Sequence, residues 1–159
     1  MKKFSTAAVI LCTALFFTVT WTASADTSSG ENSPITIVFS HDMHSHLEKF
    51  PKIRTVVKQG KQNNDATFVL DGGDFSMGTP YQTIFKEEAA ELRMMGAVGY
   101  DATTLGNHEF DYRSAGLTQM LKTAESSGDR VPHLVAANID WEKTLSDEEM
   151  RKDGEALRA

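Results

Sequence analysis

The sequence reads Leu105-Gly106-Asn107-His108-Glu109-Phe110-Asp111 beyond its midpoint, and this segment indicates both a fold and a site. It follows a β-like run, residues 100–105, and precedes a helix-like run. Asn107 offers a neutral oxygen to a metal ion, and His108 carries a group that titrates near neutral pH. Asp111 is spaced so that its carboxylate could hold that imidazole in one tautomer, as in a catalytic dyad. The segment therefore predicts a polar site just past the end of a strand.

Another loop of the same kind is His41-Asp42-Met43-His44, which follows the β-like run at residues 35–39. That run is almost entirely apolar or β-branched, as in a strand covered on both faces. Asp42 and His44 are two residues apart, so in an extended segment both side chains can reach one ion. Taken alone, such a short pattern is more often an ordinary solvated loop.

The remaining loop of this kind, Asp71-Gly72-Gly73-Asp74, follows the β-like run at residues 66–70. Its glycines let the backbone come close to a metal ion or a phosphate group. Asp74 could then supply a carboxylate that bridges two cations. The alternative for this loop alone is a glycine turn with capping aspartates.

Hydrophobic patterning predicts that strands and helices alternate along the chain. The remaining predicted elements are a fourth strand within residues 131–139 and helices at residues 50–62, 82–95 and 112–124, the second of which is expected to end at Gly96. Strand, ligand-bearing loop and helix thus recur in that order, which is the pattern of an α/β fold. Because sites in α/β sheets assemble beyond the carboxyl ends of the strands, the three loops are expected to meet.

Composition bounds the class of protein. The chain has 159 residues, of which 40% are hydrophobic and 24% are charged, a balance typical of one globular domain. Its formal net charge of -6 argues against nucleic acid as a partner, since binding a polyanion needs a basic face. A phosphorylated small molecule is not excluded, because bound cations would reverse the local field.

Residues 1–25 are predicted to be a secretory signal peptide, and residues 26–34 a flexible leader. Two lysines precede an apolar run that is shorter than the ~20 residues needed to span a bilayer, and a small-residue cleavage site ends at Ala25. An uncleaved membrane anchor is the alternative. Cleavage predicts a secreted or extracytoplasmic protein without a stable membrane anchor. It also removes Cys12, the only cysteine, so any metal must be held by oxygen and imidazole nitrogen.

Residues 35–159 are predicted to form one domain that is truncated at its C-terminal end. Ser146 and Glu149 form a capping box, which predicts a helix from Ser146 to Ala159. That helix has no C-cap glycine, which indicates that the domain continues beyond this sequence.

Together the three loops resemble the motifs of the calcineurin-like metallophosphoesterases, namely Asp42-Met43-His44, Gly73-Asp74 and Gly106-Asn107-His108-Glu109. The longer runs through residues 45–48 and 106–111 look like those of the secreted 5′-nucleotidase and UDP-sugar hydrolase branch. The resemblance covers residues 35–140. It implies an α/β fold, a β-sandwich flanked by helices, of which this chain would hold the N-terminal part.

The resemblance implies a site for two divalent metal ions. Asp42 and His44 would hold the first cation. Asp74 would bridge both cations, and Asn107 would bind the second. Oxygen and nitrogen ligands of this kind admit zinc, manganese, magnesium or iron. A water activated by the paired cations would attack phosphorus in line, with a nucleotide or related phosphoester as the substrate.

His108 and Asp111 would form the catalytic dyad of such a site. By resemblance, His108 would contact the phosphate group and either stabilise charge or protonate the leaving oxygen. Asp111 would orient the imidazole ring. Glu109 is expected to be structural, Met43 is expected to face away from the metal ions, and no ligand role carries over to His41.

The sequence departs from the family in its later part. Histidine motifs that complete both metal shells and a C-terminal domain that grips the nucleoside are absent, and no histidine follows Asn138. The first functional hypothesis is therefore hydrolysis of nucleotide phosphate esters, carried out only in a longer form of the protein. The alternative is a truncated, catalytically inactive module with residual metal or phosphate binding. A non-metal α/β domain is a third and less specific interpretation.

Overall fold

The computed structural model describes residues 21–23, 34–146 and 151, which contain strands, α-helices and short 3-10 turns. The strands are β1 (Trp21–Ala23), β2 (Ile35–Ser40), β3 (Thr67–Asp71), β4 (Ala102–Thr103) and β5 (His133–Leu134). The α-helices are α1 (Phe50–Asn63), α2 (Phe85–Glu88), α3 (Ala90–Val98), α4 (Arg113–Ser126) and α5 (Trp141–Ser146). The 3-10 turns are Leu47–Lys49, Pro80–Ile84 and His108–Phe110.

The strands form one sheet in the order β1-β2-β3-β4-β5. From β2 to β5 the strands are parallel, with Val38 beside Val69 and Leu70 beside Ala102, whereas β1 is antiparallel to β2. The carboxyl ends of β2, β3 and β4 therefore lie at one edge of the sheet, and the three polar loops begin there. This arrangement confirms the predicted α/β fold in which strand, loop and helix alternate.

The helices cover one face of the sheet. Side chains on that face of β2 and β3 are buried, including Val38 and Val69. The largest members of the core they join are Phe50, Phe75, Phe85, Met95, Tyr100, Leu117 and Met120. Burial of these apolar side chains is the main term that stabilises the described part of the chain.

The opposite face of the sheet carries exposed apolar side chains. Phe68 of β3 is 49% exposed, although the next residue, Val69, is fully buried. Ile35 at the start of β2 and Val135 just after β5 are exposed to a similar degree. The sequence predicted that the strand at residues 35–39, which is β2, is covered on both faces. Within the described residues this prediction is wrong, because the helices pack against only one face.

The predicted helix at residues 82–95 is divided into two. A 3-10 turn at Pro80–Ile84 leads into α2, and Ala89 then adopts a left-handed conformation (φ 46°) before α3 begins. Ala89 is fully buried, so core packing imposes a break that the helical periodicity of the sequence does not show.

The sequence predicted that Gly96 ends the helix, and this prediction is wrong. Gly96 lies inside α3, which ends at Val98 and is capped by Gly99 in a left-handed conformation (φ 110°). A Cβ at Gly96 would lie 1.6 Å from the backbone oxygen of Arg130, so only glycine lets the chain pass across the helix here. The glycine is thus explained by a close backbone approach rather than by helix termination.

The bounds of other elements also differ from the prediction. α4 agrees with the predicted helix at residues 112–124 to within two residues. The strand predicted at residues 100–105 is β4, which is much shorter than predicted. A short helix that was not predicted, α5, ends at Ser146, and Asp140 Oδ1 caps it by accepting the backbone amide of Lys143 at 2.9 Å. The remaining predicted helix, apart from residue 151, lies outside the described residues.

Most of the predicted signal peptide and leader, residues 1–20 and 24–33, also lies outside the described residues. Residues 21–23, which that prediction assigns to the signal peptide, pair as β1 with residues 35–37 of β2. Among the residues that the structure describes, no helix combines the length and apolar character needed to cross a membrane.

Candidate metal and phosphate site

The loops after β2, β3 and β4 are the first, second and third ligand-bearing loops. The first of them lies along the second. Three backbone amides of the first loop donate to carbonyl oxygens of the second, in the pairs Asp42 to Gly73 (3.0 Å), His44 to Asp74 (3.0 Å) and Ser45 to Phe75 (2.8 Å). This ladder brings Asp42, His44 and Asp74 together at the edge of the sheet where the parallel strands end.

Three of the predicted metal residues have left-handed backbone conformations. The φ angle is 53° for Asp42, 46° for His44 and 52° for Asp74, a region that residues other than glycine seldom adopt. Each such residue costs about 1–3 kcal/mol of conformational strain, so the surrounding contacts must hold it in place. Strain of this kind clusters at functional sites, where it fixes the direction of particular side chains.

The loop after β4 crosses the loop after β3 at two glycines. A Cβ at Gly73 (φ 89°) would lie 2.6 Å from the backbone nitrogen of Gly106. The backbone amide of His108 donates to Asp74 Oδ1 at 2.9 Å. The Asp74 carboxylate is therefore fixed against the loop that carries Asn107 and His108.

Glu109 ties the same two loops together. Its side chain is fully buried. Its carboxylate accepts four hydrogen bonds, from Asp74 N (3.0 Å), Gly106 N (2.6 Å), Ser76 N (3.0 Å) and Ser76 Oγ (2.7 Å). A carboxylate satisfied by four donors holds the backbone rather than a ligand, which agrees with the structural role predicted for Glu109.

The two aspartates of the loop after β3 have different surroundings. Asp71 is buried and accepts hydrogen bonds from Ser40 Oγ (2.8 Å), Thr103 Oγ1 (2.8 Å) and Gly73 N (2.9 Å), so it braces the ends of β2, β3 and β4. Burial raises the pKa of the Asp71 carboxyl group. Asp74 is therefore the aspartate of this loop that is available to a ligand. Met43, which was predicted to face away from the metal ions, is buried in the core.

Asp42 lies between two imidazole groups. His41 Nδ1 is 2.5 Å from Asp42 Oδ2, and His44 Nε2 is 3.8 Å from Asp42 Oδ1. The hydrogen bond with His41 is the largest of the effects that lower the pKa of Asp42, and the nearby charge of His44 acts in the same direction. Sequence reasoning assigned His41 no role beyond flanking the motif, but the structure shows that it holds one carboxylate oxygen of Asp42.

The donor set suits a divalent cation, although the described residues do not enclose one. No three histidine, aspartate or glutamate side chains among them are grouped closely enough to hold a metal ion. In one orientation of the Asn107 amide, its oxygen lies 3.2 Å from Asp74 Oδ2 with no hydrogen between them; in the other, the NH₂ group donates to Asp74. To hold a divalent cation together with Asp74, Asn107 would have to present its amide oxygen rather than its NH₂ group. Carboxylate and amide oxygens with an imidazole nitrogen therefore fit zinc, manganese, magnesium or iron.

His108 and Asp111 make the contact that a catalytic dyad requires. His108 Nδ1 lies 2.9 Å from Asp111 Oδ2. This hydrogen bond raises the pKa of His108, and the negative charge of Asp111 acts in the same direction. The rings of His44 and His108 meet edge to face, with centroids 5.0 Å apart, so the dyad lies beside the candidate metal residues. With Nδ1 engaged, a protonated ring can donate from Nε2 to an anionic oxygen.

The sequence of residues 35–150 matches the profile of the calcineurin-like phosphoesterases, and this match includes all three loops. The chain belongs to this family. The chain is 31% identical over 115 residues to the trifunctional nucleotide phosphoesterase protein YfkN of Bacillus subtilis, covering 67% of this chain and 8% of the relative. It is 30% identical over 143 residues to a probable 5′-nucleotidase of Treponema pallidum, covering 79% of this chain and 24% of the relative.

A solved structure shares the fold of this chain. The 5′-nucleotidase precursor of Thermus thermophilus superposes with a TM-score of 0.53 and 25% sequence identity, over 73% of this chain and 24% of that one. The chain therefore spans about a quarter or less of the length of these three proteins.

The sequence interpretation missed two buried residues behind the first loop. Ser45 Oγ donates to Glu91 Oε1 at 2.6 Å, and both side chains are buried. Glu91 lies on the buried side of α3 with Met95 and Val98, four and seven residues further on. A charged residue on an otherwise apolar stripe was the signal that could have identified it.

Proposed function

We propose that this phosphoesterase carries part of a two-metal site that hydrolyses phosphate esters of nucleotides. The observation that carries the proposal is the meeting of three loops, in which Asp74 is hydrogen-bonded both to His44 of the first loop and to His108 of the third. Family membership supports phosphate ester hydrolysis in general. The names of the relatives, a nucleotide phosphoesterase and a probable 5′-nucleotidase, support a nucleotide as the ester.

Two divalent cations would be held by the four predicted residues. Asp42 and His44 would hold one cation, and Asn107 would bind the second. Asp74 would serve both, since it lies between the loops that carry the other ligands. When bound, such cations polarise phosphoryl oxygens and make water a stronger nucleophile at neutral pH. The ligand types suit zinc, manganese, magnesium or iron.

His108 would act on the phosphate group as an imidazolium. Its hydrogen bond with Asp111 orients the ring and favours the protonated form, which leaves Nε2 free to donate. Donation to a phosphoryl oxygen would stabilise the charge that develops there. Transfer of the same proton to the leaving oxygen would assist departure of the nucleoside.

The full activity is proposed for a longer protein. This chain spans 24% of the length of the Treponema relative and of the Thermus structure. We therefore place nucleoside recognition in a further domain, as the resemblance implies. Residues 1–25 are proposed to direct export, so that the substrates are phosphate esters outside the cytoplasm.

An inactive binding module is the second candidate. It is favoured by the lack, among the described residues, of three acidic or imidazole side chains that enclose an ion. Such a module would bind a divalent cation or phosphate through the same loops but would not turn over substrate, because two-metal catalysis needs oriented and complete ligand shells.

The test is phosphate release from AMP by the purified chain with Mn²⁺ or Zn²⁺. The proposal predicts slow release that requires the metal and falls about 100-fold or more in His108→Ala. His133→Ala is the matched control, because His133 is an exposed histidine on β5, outside the three loops, and release should be unchanged. A folded chain that binds Mn²⁺ without releasing phosphate would favour the inactive module. A folded chain that does neither would overturn both candidates.

A further inference from the structure

Ser45 is the most firmly held residue of the first loop. It follows His44, is fully buried and has a left-handed conformation (φ 53°). Its backbone and side chain make four hydrogen bonds, namely Ser45 N to Phe75 O (2.8 Å), Leu47 N to Ser45 O (2.8 Å), Thr79 Oγ1 to Ser45 O (2.9 Å) and Ser45 Oγ to Glu91 Oε1 (2.6 Å). Because His44 is also left-handed, the position of Ser45 fixes the direction in which the His44 imidazole leaves the backbone.

Among the described residues, Glu91 is the side chain of an α-helix that anchors Ser45. It lies in the first turn of α3 and is 1% exposed. Glu91 Oε1 accepts the Ser45 hydroxyl, whereas Oε2 has no hydrogen-bond partner among the described residues. Burial raises the pKa of the Glu91 carboxyl group, which shows how unfavourable this environment is for its charge.

A purely structural position would not need a carboxyl group. The residues that follow on the same face of α3, Met95 and Val98, are apolar, and an apolar side chain of similar size would fill the space of Glu91 without an unpaired oxygen. What the apolar side chain could not do is accept the hydroxyl hydrogen of Ser45. The buried carboxyl group is thus explained by the shape of the loop rather than by the core.

We propose that Glu91 is a positioning residue for His44 and acts through the hydroxyl group of Ser45. The inference rests on the proposed metal site and adds a residue to it. Glu109 holds the second and third loops by accepting from Asp74 and Gly106, and Glu91 has the corresponding part for the first loop. Two buried glutamates therefore set the relative positions of all three ligand-bearing loops.

Two substitutions at Glu91 separate acceptance of the hydrogen bond from filling of space. Glu91→Leu keeps the approximate volume and removes the acceptor, whereas Glu91→Gln keeps an oxygen that can accept from Ser45. The matched controls are Glu87→Leu and Glu87→Gln. Glu87 is exposed and lies on α2, four residues before Glu91 in the sequence. Ser45→Ala removes the donor and serves as a second route if Glu91→Leu does not fold.

The readout is the affinity of the full chain for Mn²⁺, measured by calorimetry. Glu91→Leu and Ser45→Ala should weaken binding about 10- to 100-fold, as loss of an outer-sphere support does, while Glu91→Gln and both Glu87 variants remain near wild type. In a His44→Ala background, Glu91→Leu should cause no further loss, because the group that it positions is already gone.

Amide hydrogen exchange without metal gives a second readout. The amides of His44 and Ser45 should exchange faster in Glu91→Leu, whereas those of Asp74 and Gly106, which Glu109 holds, should keep wild-type rates. Equal Mn²⁺ affinity and equal exchange in wild type and Glu91→Leu would overturn this inference and leave the proposed function intact. An additive loss in the His44→Ala background would also overturn it. A folded wild-type chain that does not bind Mn²⁺ would overturn the metal site itself, and the inference with it.

Discussion

Gly106 and Asp74 pack so closely that a Cβ on Gly106 would lie 2.1 Å from Asp74 Oδ1. This contact joins the loop after β3 to the loop after β4, and the Asp74 carboxylate occupies the space that a side chain at residue 106 would need. The position of the group proposed to bridge two cations therefore depends on the absence of a single methyl group.

Gly106→Ala should push the Asp74 carboxylate out of place. We expect Mn²⁺ affinity, measured by calorimetry, to fall about 10- to 100-fold. Stability should fall as well, because the new Cβ would also lie 2.5 Å from the backbone nitrogen of Asp74. Gly60→Ala in α1 is the control, because its new Cβ would lie 3.2 Å from a methyl group of Thr67, away from the three loops. Wild-type affinity in Gly106→Ala would show that Asp74 does not bind the ion.

Glu109→Ala should destabilise the fold as well as the site. It leaves the part-buried amides of Asp74 and Gly106 without an acceptor, together with the buried amide and hydroxyl of Ser76. The free energy of unfolding in urea should fall by about 3 kcal/mol. The exposed residue Glu87 provides the comparison, and Glu87→Ala should change the free energy of unfolding by less than about 0.5 kcal/mol. Similar losses in the two variants would contradict this account of Glu109.

The His108 imidazole should titrate above its ordinary pKa of 6.5, because its hydrogen bond with Asp111 stabilises the protonated form. The folded-state pKa is raised, so the stabilising contribution of this pair is fully present below pH 6.5 and is lost as the pH rises through the folded-state pKa. Asp111→Asn should lower the pKa of His108 toward 6.5, as measured by NMR titration of the ring. Asp65→Asn, at an exposed aspartate in the turn before β3, should leave that titration unchanged.

The two faces of β3 should respond oppositely to the same kind of change. Phe68→Thr replaces a side chain on the exposed apolar face, so it should reduce self-association in light scattering with little effect on stability. Val69→Thr places a hydroxyl group in the core and should lower the free energy of unfolding by about 1–3 kcal/mol. If Phe68→Thr destabilised the chain as much as Val69→Thr, the exposed face would have to be packed in solution.

The sequence was sufficient to predict the alternation of strands and helices and the meeting of the three loops. Both follow from local rules, since residues 35–39 and 66–70 have strand-like patterns and polar residues follow each of them directly. Parallel strands then place those residues at one edge of the sheet, and the structure brings Asp42, His44 and Asp74 together there.

What the sequence did not predict depends on contacts between distant segments. The break at Ala89 follows from packing against the core, and the place of Gly96 follows from packing against Arg130. The helical periodicity of the sequence predicts neither of them. The hydrogen bond between Ser45 and Glu91 joins residues that are 46 positions apart. Such supports become visible only when the fold places both partners side by side.

The central claim is that these three loops together form a site for divalent cations. It is tested most directly by calorimetric titration of Mn²⁺ into the purified chain and into Asp74→Asn, with circular dichroism to show that both are folded. The account predicts saturable binding by the wild-type chain that is weakened at least about 10-fold in Asp74→Asn. Absence of binding by the folded wild-type chain, or equal binding by Asp74→Asn, would contradict it.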